Sequence, residues 1–525
     1  VGHGDIDCSK TKTTFRSADG TCNDVSKPFA GAARVAFGRN VPPQFIDQKA
    51  AEKLMIPNPA DVSKEFFTRD EFKPVPFLNM LAAVWIQFMN HDWLTHGKNE
   101  ERDPHRVKSA GGEKLVDRTK ENDQPRSQYK PGFGKTTTND VTHWWDASQI
   151  YGSDQETRDK LRFGRKGLMR MAKINGREVL PKDAQFNAAG NVQNKGYEET
   201  GFRDNWWMGL SMLHTLFVKE HNAIAAELFR KHVTTVAPNK YVWTNTYKDK
   251  KSGKMVTDRR QMDEGQLDEQ IFEVARLINA AVLAKIHTVE WTPAILPNPV
   301  LKKAMYTNWY GLANPQSWSR FIKHIPGFNK TDWFADTASG YVIGGIVGDK
   351  VDNFGVPFSI TEEFTSVYRL HSLLPENLEI RKLADKKPRP IAFADTRNEK
   401  SYAIMANNDL KDLYYSFGVQ LPGQLVLNNF PKFMQNLEIP GRPNMDLGMV
   451  DIIRDRERGV PRYNQFRRAL NPQREKDGIQ PIRTYRDFFP AGKPLDAKQQ
   501  EILKKFYKVY GKDSKGNDNV EQIDL

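Results

Sequence analysis

Tyr368 and His371 stand three residues apart in the stretch Glu362-Glu363-Phe364-Thr365-Ser366-Val367-Tyr368-Arg369-Leu370-His371-Ser372-Leu373-Leu374-Pro375. Phe364, Val367, Tyr368, His371 and Leu374 recur at i, i+3, i+4, i+7 and i+10, a spacing that predicts one face of a helix. Residues three apart project from the same face. A histidine so placed can hold a haem iron from below. A tyrosine one turn away would touch the same macrocycle and be open to oxidation by it. The pattern also suits a core helix whose histidine is satisfied by its neighbours.

Gln87 and His91 form a second pair, four apart among large apolar residues. A polar pair on an apolar stripe needs a partner, because burying it unpaired is costly. A distal haem pocket would supply one: the histidine takes a proton from a peroxide and hands it to the leaving oxygen, and the glutamine bonds the oxygen or a pocket water. A buried histidine satisfied by backbone is the other reading.

In Thr142-His143-Trp144-Trp145-Asp146-Ala147-Ser148, residues Thr142, Trp144, Asp146 and Ser148 alternate. Side-chain and backbone oxygens at every second position could wrap one hard cation, and Ca²⁺ takes six to eight oxygens. Asp92, directly after His91, offers a further carboxylate. An ordinary turn before Tyr151-Gly152-Ser153-Asp154 is the plainer alternative. Arg203 could polarise a peroxide beside His91. The run Arg454-Asp455-Arg456-Glu457-Arg458 reads first as a solvated face of surface ion pairs. Asn464, just beyond it, could accept the second ring N–H of His371.

These residues need a scaffold of helices. A helix is predicted over about 76–94, with Phe77, Leu81, Val84, Trp85, Phe88 and Met89 on its apolar stripe. Others are predicted over 205–230 and 266–290. Residues 95–140 and 234–260 read as polar excursions, and 325–358 as mostly loop. Clean strand alternation is scarce. Residues 1–70 are loop-rich, and 71–525 read as one large, mainly α-helical domain.

The chain has 525 residues, a net charge of +13 and 38% hydrophobic residues. No run approaches the ~20 apolar residues needed to span a bilayer. The excess charge suits attraction to an anionic membrane surface or to anionic substrates, and equally a merely basic, solvated surface. With no zinc-ligand spacing and no basic aromatic platform, nucleic acid is not an expected partner. Cys8 and Cys22 are the two cysteines. They are too few for an iron–sulfur cluster but could close one small disulfide loop in an oxidising compartment. The chain opens on Val1 with no basic-then-apolar leader, as expected of a processed chain or a fragment, so its compartment stays open.

Five segments, in this order, resemble the animal-type haem peroxidase superfamily. They are Gln87-x-x-x-His91-Asp92, 145–153 (Trp-Asp-Ala-Ser-Gln-Ile-Tyr-Gly-Ser), 213–222 (Leu-His-Thr-Leu-Phe-Val-Lys-Glu-His-Asn), Tyr368-Arg-Leu-His371 and 458–464 (Arg-Gly-Val-Pro-Arg-Tyr-Asn). Within the superfamily the chain is most similar to fatty-acid α-dioxygenases, through 85–93, 284–292, Asn308–Leu312, 361–369 and 453–464. The resemblance implies a mainly α fold, a single large helical domain around a buried haem, with a structural Ca²⁺ beside the distal histidine. Asn90 and Trp206 replace the acids that esterify haem in mammalian relatives, which implies non-covalent haem b.

The resemblance also implies roles. His371 matches the proximal ligand, His91 the distal histidine and Tyr368 the tyrosine that becomes the oxidising radical. His287 and Thr292 match positions that hold a fatty-acid carboxylate. Asp92, Thr142, Trp144, Asp146 and Ser148 match the calcium set. The implied reaction takes a hydroperoxide activator, a fatty acid and O2. A tyrosyl radical removes hydrogen from C2, and O2 gives the 2-hydroperoxide. Family members continue past the position of Leu525, where a further arginine completes the carboxylate site, so the resemblance implies a C-terminal truncation here. Alternatives are a peroxidase of small donors, a dioxygenase of other regiochemistry, and a structural protein that keeps the fold without turnover.

Overall fold

The structure is a computed structural model. It describes residues 6–8, 14–25, 27–44, 51–99, 103–119, 137–182, 196–249, 252–310, 360–439, 442–470 and 481–524. The predicted loop over 325–358 and residues 311–312 of the Asn308–Leu312 segment lie outside them.

Three long helices frame the centre. Helix α1 is Met80–Trp93, started by Asn79, whose side chain accepts from the Leu81 N–H at 3.1 Å. Ten of its fourteen residues are buried, and they lie all round the helix. A helix apolar on every side belongs inside a core. Helix α2, Met208–His232, lies across it: Phe88 stacks on Phe217 at 5.5 Å and meets His214 edge-on at 4.9 Å. Helix α3, Glu264–Ile286, starts from a capping box between Asp263 and Gln266 and packs along α2. All three match the predicted helices to within a few residues. Among the described residues no helix is long and apolar enough to cross a membrane.

The two polar excursions contain strands. Strands β1 (His105–Ser109) and β2 (Gly112–Val116) form a hairpin whose His105 and Val107 are buried while Arg106 and Lys108 are exposed. Strands β3 (Val233–Ala237), β4 (Lys240–Lys248) and β5 (Met255–Asp263) form an antiparallel sheet. Only Tyr241 and Trp243 of these three strands are buried, with Trp243 stacked on His232 at 5.0 Å. Both faces of the sheet's outer end meet water, which removes the apolar alternation that marks a half-buried strand.

The stretch around Tyr368 departs from the predicted continuous helix. Helix α4 covers only Glu362–Val367, and His371–Leu373 is a separate 3₁₀ turn. Pro375 disfavours helical backbone at Leu374, which is extended. The carbonyls released by the break have other donors. Arg69 donates to those of Ser372 and Leu374, at 3.2 and 2.8 Å, and the Gly423 N–H to that of Leu373 at 2.9 Å. Val367 is therefore exposed rather than part of an apolar face.

Helix α5, Leu447–Glu457, closes the floor. The N-terminal segment packs into the same body: Val35–Ala36 pairs with Thr138–Asn139, and Phe66 touches Phe506 of helix α6, Ala497–Val509, at 5.0 Å. Cys8 and Cys22 are joined as a disulfide.

Candidate active site

A cavity of about 450 Å³ lies between α1, the turn after α4, and α5. Gln87, Asn90 and His91 line it from α1, Tyr368, Arg369 and His371 from the turn, and Asp451, Arg454 and Arg458 from α5 and its end. The two histidines predicted to flank one chamber therefore share it.

His91 is buried, and its Nδ1 has no hydrogen-bond partner. Burial pushes its pKa down to about 3, so the ring is neutral at ordinary pH. Phe202 packs on it at 4.5 Å. Gln87 lines the same wall, but its Oε1 already accepts from the Trp207 indole N–H at 2.8 Å. Arg203, half-buried, reaches the cavity beside Phe202. Asn90 donates to the Tyr368 carbonyl at 3.3 Å, tying α1 to the tyrosine turn.

Tyr368 stacks on Phe364 at 4.2 Å and lies edge-on to Trp93 at 6.2 Å. Burial raises its pKa, which keeps the phenol protonated.

His371 turns one edge toward α5, with Nδ1 3.2 Å from Asp451 Oδ2. The expected partner was Asn464, and this is corrected. Asn464 is fully buried, but its amide is spent elsewhere. Its Oδ1 accepts from Ile482 N, and its Nδ2 donates to Ile482 O and Glu521. The charge run before it is not a solvated face either. Arg456 is 2% exposed and donates to Asp524 at 2.9 and 2.8 Å. Glu457 meets His105 at 2.9 Å, and Arg458 is buried with its pKa pulled down to about 10, burial outweighing the nearby Glu362. These partners come from distant segments, so the run alone gave no sign of them. Asp451 had one available signal: it lies four residues before Asp455, on the face of α5 that meets Arg369.

His287 and Thr292 do not line this cavity. His287 opens a π-helical turn, His287–Trp291, at the end of α3. Its Nδ1 accepts from the Trp85 indole N–H at 3.2 Å, and its ring stacks on Trp291 at 4.8 Å. Burial lowers its pKa to about 4. The Thr292 hydroxyl donates to the His287 carbonyl at 2.9 Å. Trp93 is the link to the cavity: it touches His287 at 4.9 Å and Tyr368 at 6.2 Å.

The oxygen-rich loop meets Asp92 as predicted. Asp92 Oδ1 accepts from the Ser148 N–H and hydroxyl at 2.6 and 3.0 Å, and Thr142 donates to Asp146 Oδ1 at 2.6 Å. Asp146 Oδ2 is buried without a partner. Burial and then the Asp146 charge raise the Asp92 pKa to about 8, and burial raises that of Asp146. Trp145 and Ala147 both take left-handed backbone, φ 53° and 62°, which is uncommon for such residues and curls the loop. Among the described residues no three His, Cys, Asp or Glu side chains converge as a metal centre. Two carboxylates with hydroxyl and carbonyl oxygens remain a donor set suited to a hard cation.

The animal haem peroxidase family matches residues 15–525. An Arabidopsis thaliana α-dioxygenase 1 is 34% identical over 87% of this chain and 65% of its own length. The Oryza sativa α-dioxygenase PIOX is 31% identical over 97% of this chain and 72% of its own length. This chain thus spans about two thirds of the length of these relatives. A crystal structure of a tyrosine-to-phenylalanine variant of the Oryza sativa fatty acid α-dioxygenase with palmitic acid superposes with a TM-score of 0.73 at 30% identity, covering 100% of this chain and 75% of that one. Peroxidase A from Dictyostelium discoideum, 18% identical with a TM-score of 0.64, shares the fold. The chain belongs to the animal haem peroxidase family of haem-dependent oxidoreductases, among its α-dioxygenases.

Proposed function

We propose that this protein is a fatty-acid α-dioxygenase in which Tyr368 is the hydrogen-abstracting residue. The observation that carries the reading is the one cavity lined by His91, Tyr368 and His371 together. Three features support haem there. The volume suits a cofactor. His91 presents a buried, unsatisfied nitrogen. Arg203, Arg369, Arg397, Arg454 and Arg458 give the lining a cationic character that suits a dianionic ligand. His371 would hold the iron, with no covalent tie elsewhere.

When bound, haem supplies the oxidising equivalent, drawn from a hydroperoxide, that removes a hydrogen atom from Tyr368. The neutral His91 ring takes a proton from the hydroperoxide and returns it to the leaving oxygen. Gln87 and Arg203 polarise that oxygen. The Tyr368 radical takes a hydrogen atom from C2 of the fatty acid. O2 adds to the carbon, and the peroxyl group recovers a hydrogen atom from Tyr368 to give the 2-hydroperoxide. His287 would anchor the carboxylate through its Nε2–H, since Trp85 engages Nδ1, and the Thr292 hydroxyl, which donates to the His287 carbonyl, holds that histidine in place; Trp93 touches both His287 and Tyr368. Ca²⁺ would be held by Asp92, Thr142, Trp144 (through its carbonyl), Asp146 and Ser148, and would tie the end of α1 to the 142–148 loop. The net charge of +13 favours the anionic surfaces where fatty acids gather.

The test is haem reconstitution followed by palmitic acid and O2. A Soret band, oxygen uptake and a 2-hydroperoxide, or the aldehyde one carbon shorter, are expected. Oxidation of a small phenol without oxygen uptake would move the assignment to a peroxidase. Oxygenation at another carbon would overturn the regiochemistry.

A further inference from the structure

We propose that Arg397 and Tyr197 form a carboxylate-binding pair on the cavity wall, where they take the acid group of the hydroperoxide that activates the enzyme. The inference rests on the reading of this cavity as the place where a hydroperoxide meets His91. Both residues line it, Tyr197 buried and Arg397 half-buried. Among the described residues, neither the guanidinium nor the phenol hydroxyl forms a hydrogen bond or an ion pair. The two lie close enough to act on each other's charge. Burial holds the Tyr197 pKa up at about 12, so its hydroxyl is a donor at ordinary pH. Burial lowers the Arg397 pKa, opposed by Tyr197 and by Glu438, yet Glu438 is exposed and makes no ion pair with it. A guanidinium so placed is costly without an anion, and a carboxylate fits its fork while accepting from a neighbouring hydroxyl.

The backbone puts this pair beside the distal residues. Arg397 pairs with Trp207 as a single β-bridge, and the Asn398 N–H donates to the Trp206 carbonyl at 2.9 Å. The Trp207 ring packs on Phe393 at 4.6 Å and donates its indole N–H to Gln87 at 2.8 Å. Arg397 is thus one residue removed from the glutamine that stands a helical turn from His91. The other cations of the lining already have partners. Arg369 meets Asp455 at 2.8 Å, Arg458 donates to the Thr119 hydroxyl at 3.2 Å, and Arg454 is next to the Asp451 charge. His287 lies outside the cavity, so a carboxylate held at Arg397 belongs to a different molecule from one held at His287. A 2-hydroperoxy acid, the product of the proposed reaction, carries its carboxylate on the carbon next to the peroxide. Holding that group at Arg397 brings the peroxide to the Gln87 and His91 wall.

The test compares the haem-reconstituted chain with Arg397→Gln and with Tyr197→Phe, which stands if the first variant fails to fold. The probes are 2-hydroperoxypalmitic acid, its methyl ester and hydrogen peroxide. The unmodified protein should show a lower KM for the acid than for the ester. In Arg397→Gln the KM for the acid should rise by roughly 10–100-fold, the worth of a hydrogen bond to a charged group. Its kcat, and the kinetics with the ester and hydrogen peroxide, should stay close to those of the unmodified protein. Tyr197→Phe should give a smaller rise of the same kind. Binding is read separately, by tryptophan fluorescence of the haem-free chain titrated with 2-hydroxypalmitic acid, where Arg397→Gln should show the same loss. A haem propionate is the other source of a carboxylate. In that case Arg397→Gln weakens retention of haem but not of haem dimethyl ester, the KM for the acid does not move, and the activator is removed from this site. Equal KM values for acid and ester in the unmodified protein, or a folded Arg397→Gln protein with unmoved KM, fluorescence titration and haem retention, overturn the inference and leave the functional reading standing. Reconstituted protein that reduces no hydroperoxide removes the functional reading, while the fluorescence titration still decides the carboxylate site.

Discussion

Asp92 and Ser148 are joined twice: one carboxylate oxygen of Asp92 takes both the backbone N–H and the hydroxyl of Ser148, at 2.6 and 3.0 Å. The bond pins the last turn of α1, one residue after His91, to the curled loop that carries Asp146. It also gathers two buried carboxylates that repel each other, and one of their oxygens has no donor. A cation is the natural complement to such a pair.

Cation-free protein should therefore lose stability as pH rises. Asp92 has its folded pKa raised to about 8, and Asp146 is shifted the same way. Between the ordinary carboxylate range and pH 8 the folded state holds protons that the unfolded state has released, so stability is full at the acid end and falls toward pH 8, at about 1.4 kcal/mol per pH unit for each proton held. Ca²⁺ should abolish this slope and raise Tm at pH 8. Thermal melts in chelator and in Ca²⁺, from pH 5 to 8, check it. Parallel curves would leave no role for a cation here.

The buried histidines work in the opposite direction. Burial lowers the pKa of His91 and His143 to about 3, and of His96, His221 and His287 to about 4. In the unfolded chain each would protonate near pH 6.5. Their contribution is present above pH 6.5 and is lost as pH falls toward 4, because the unfolded state then binds more protons. Urea midpoints should drop steeply from pH 7 to pH 5 in the presence of Ca²⁺. A flat profile would mean that these rings are hydrated.

Phe88 is fully buried between Phe217 and His214, one turn before His91. Phe88→Ala should cost about 3–5 kcal/mol through the cavity it leaves. It should also weaken haem retention, because the wall carrying His91 loses its backing. Denaturant unfolding and haem titration of one preparation measure both. A stability loss with haem retention unchanged would separate packing from the site.

Helices α1, α2 and α3 could be read from the sequence because their apolar residues are local and periodic. The polar sheet β3–β5 could not, since solvation of its outer end hides the alternation. At the site, residue types were informative where geometry was not. Tyr368 and His371 were found as a pair, yet on an assumed helix that Pro375 and the Arg69 contacts interrupt. Asp92 and the 142–148 loop could be paired from the sequence because oxygen-bearing residues alternate there and Asp92 offers a further carboxylate, and the hydrogen bonds of Ser148 to Asp92 join the two segments. Asp451 was missed in favour of Asn464. Which of two residues on neighbouring segments meets a histidine depends on the tilt of α5 and on competing partners such as Ile482, and neither is encoded locally.

Tyr368→Phe should abolish oxygen uptake with a fatty acid while leaving haem binding and some hydroperoxide reduction. The side chain is half-buried against Phe364 and Trp93, and phenylalanine keeps those ring contacts, so the packing loss is small. What is lost is the O–H, the only bond in that side chain that yields a hydrogen atom readily. His371→Ala should give the complementary result, with the Soret band weakened or lost because the axial nitrogen is gone. His91→Ala should keep the band but slow hydroperoxide reduction by about 10²–10⁴-fold, the usual worth of a positioned acid–base group. Oxygen uptake and the Soret band should be recorded together for all three proteins. If Tyr368 were only a core filler, its phenylalanine variant would oxygenate at nearly the unmodified rate. Substantial uptake in that variant would remove the tyrosyl radical from the reaction and leave a peroxidase acting at the haem edge as the better account.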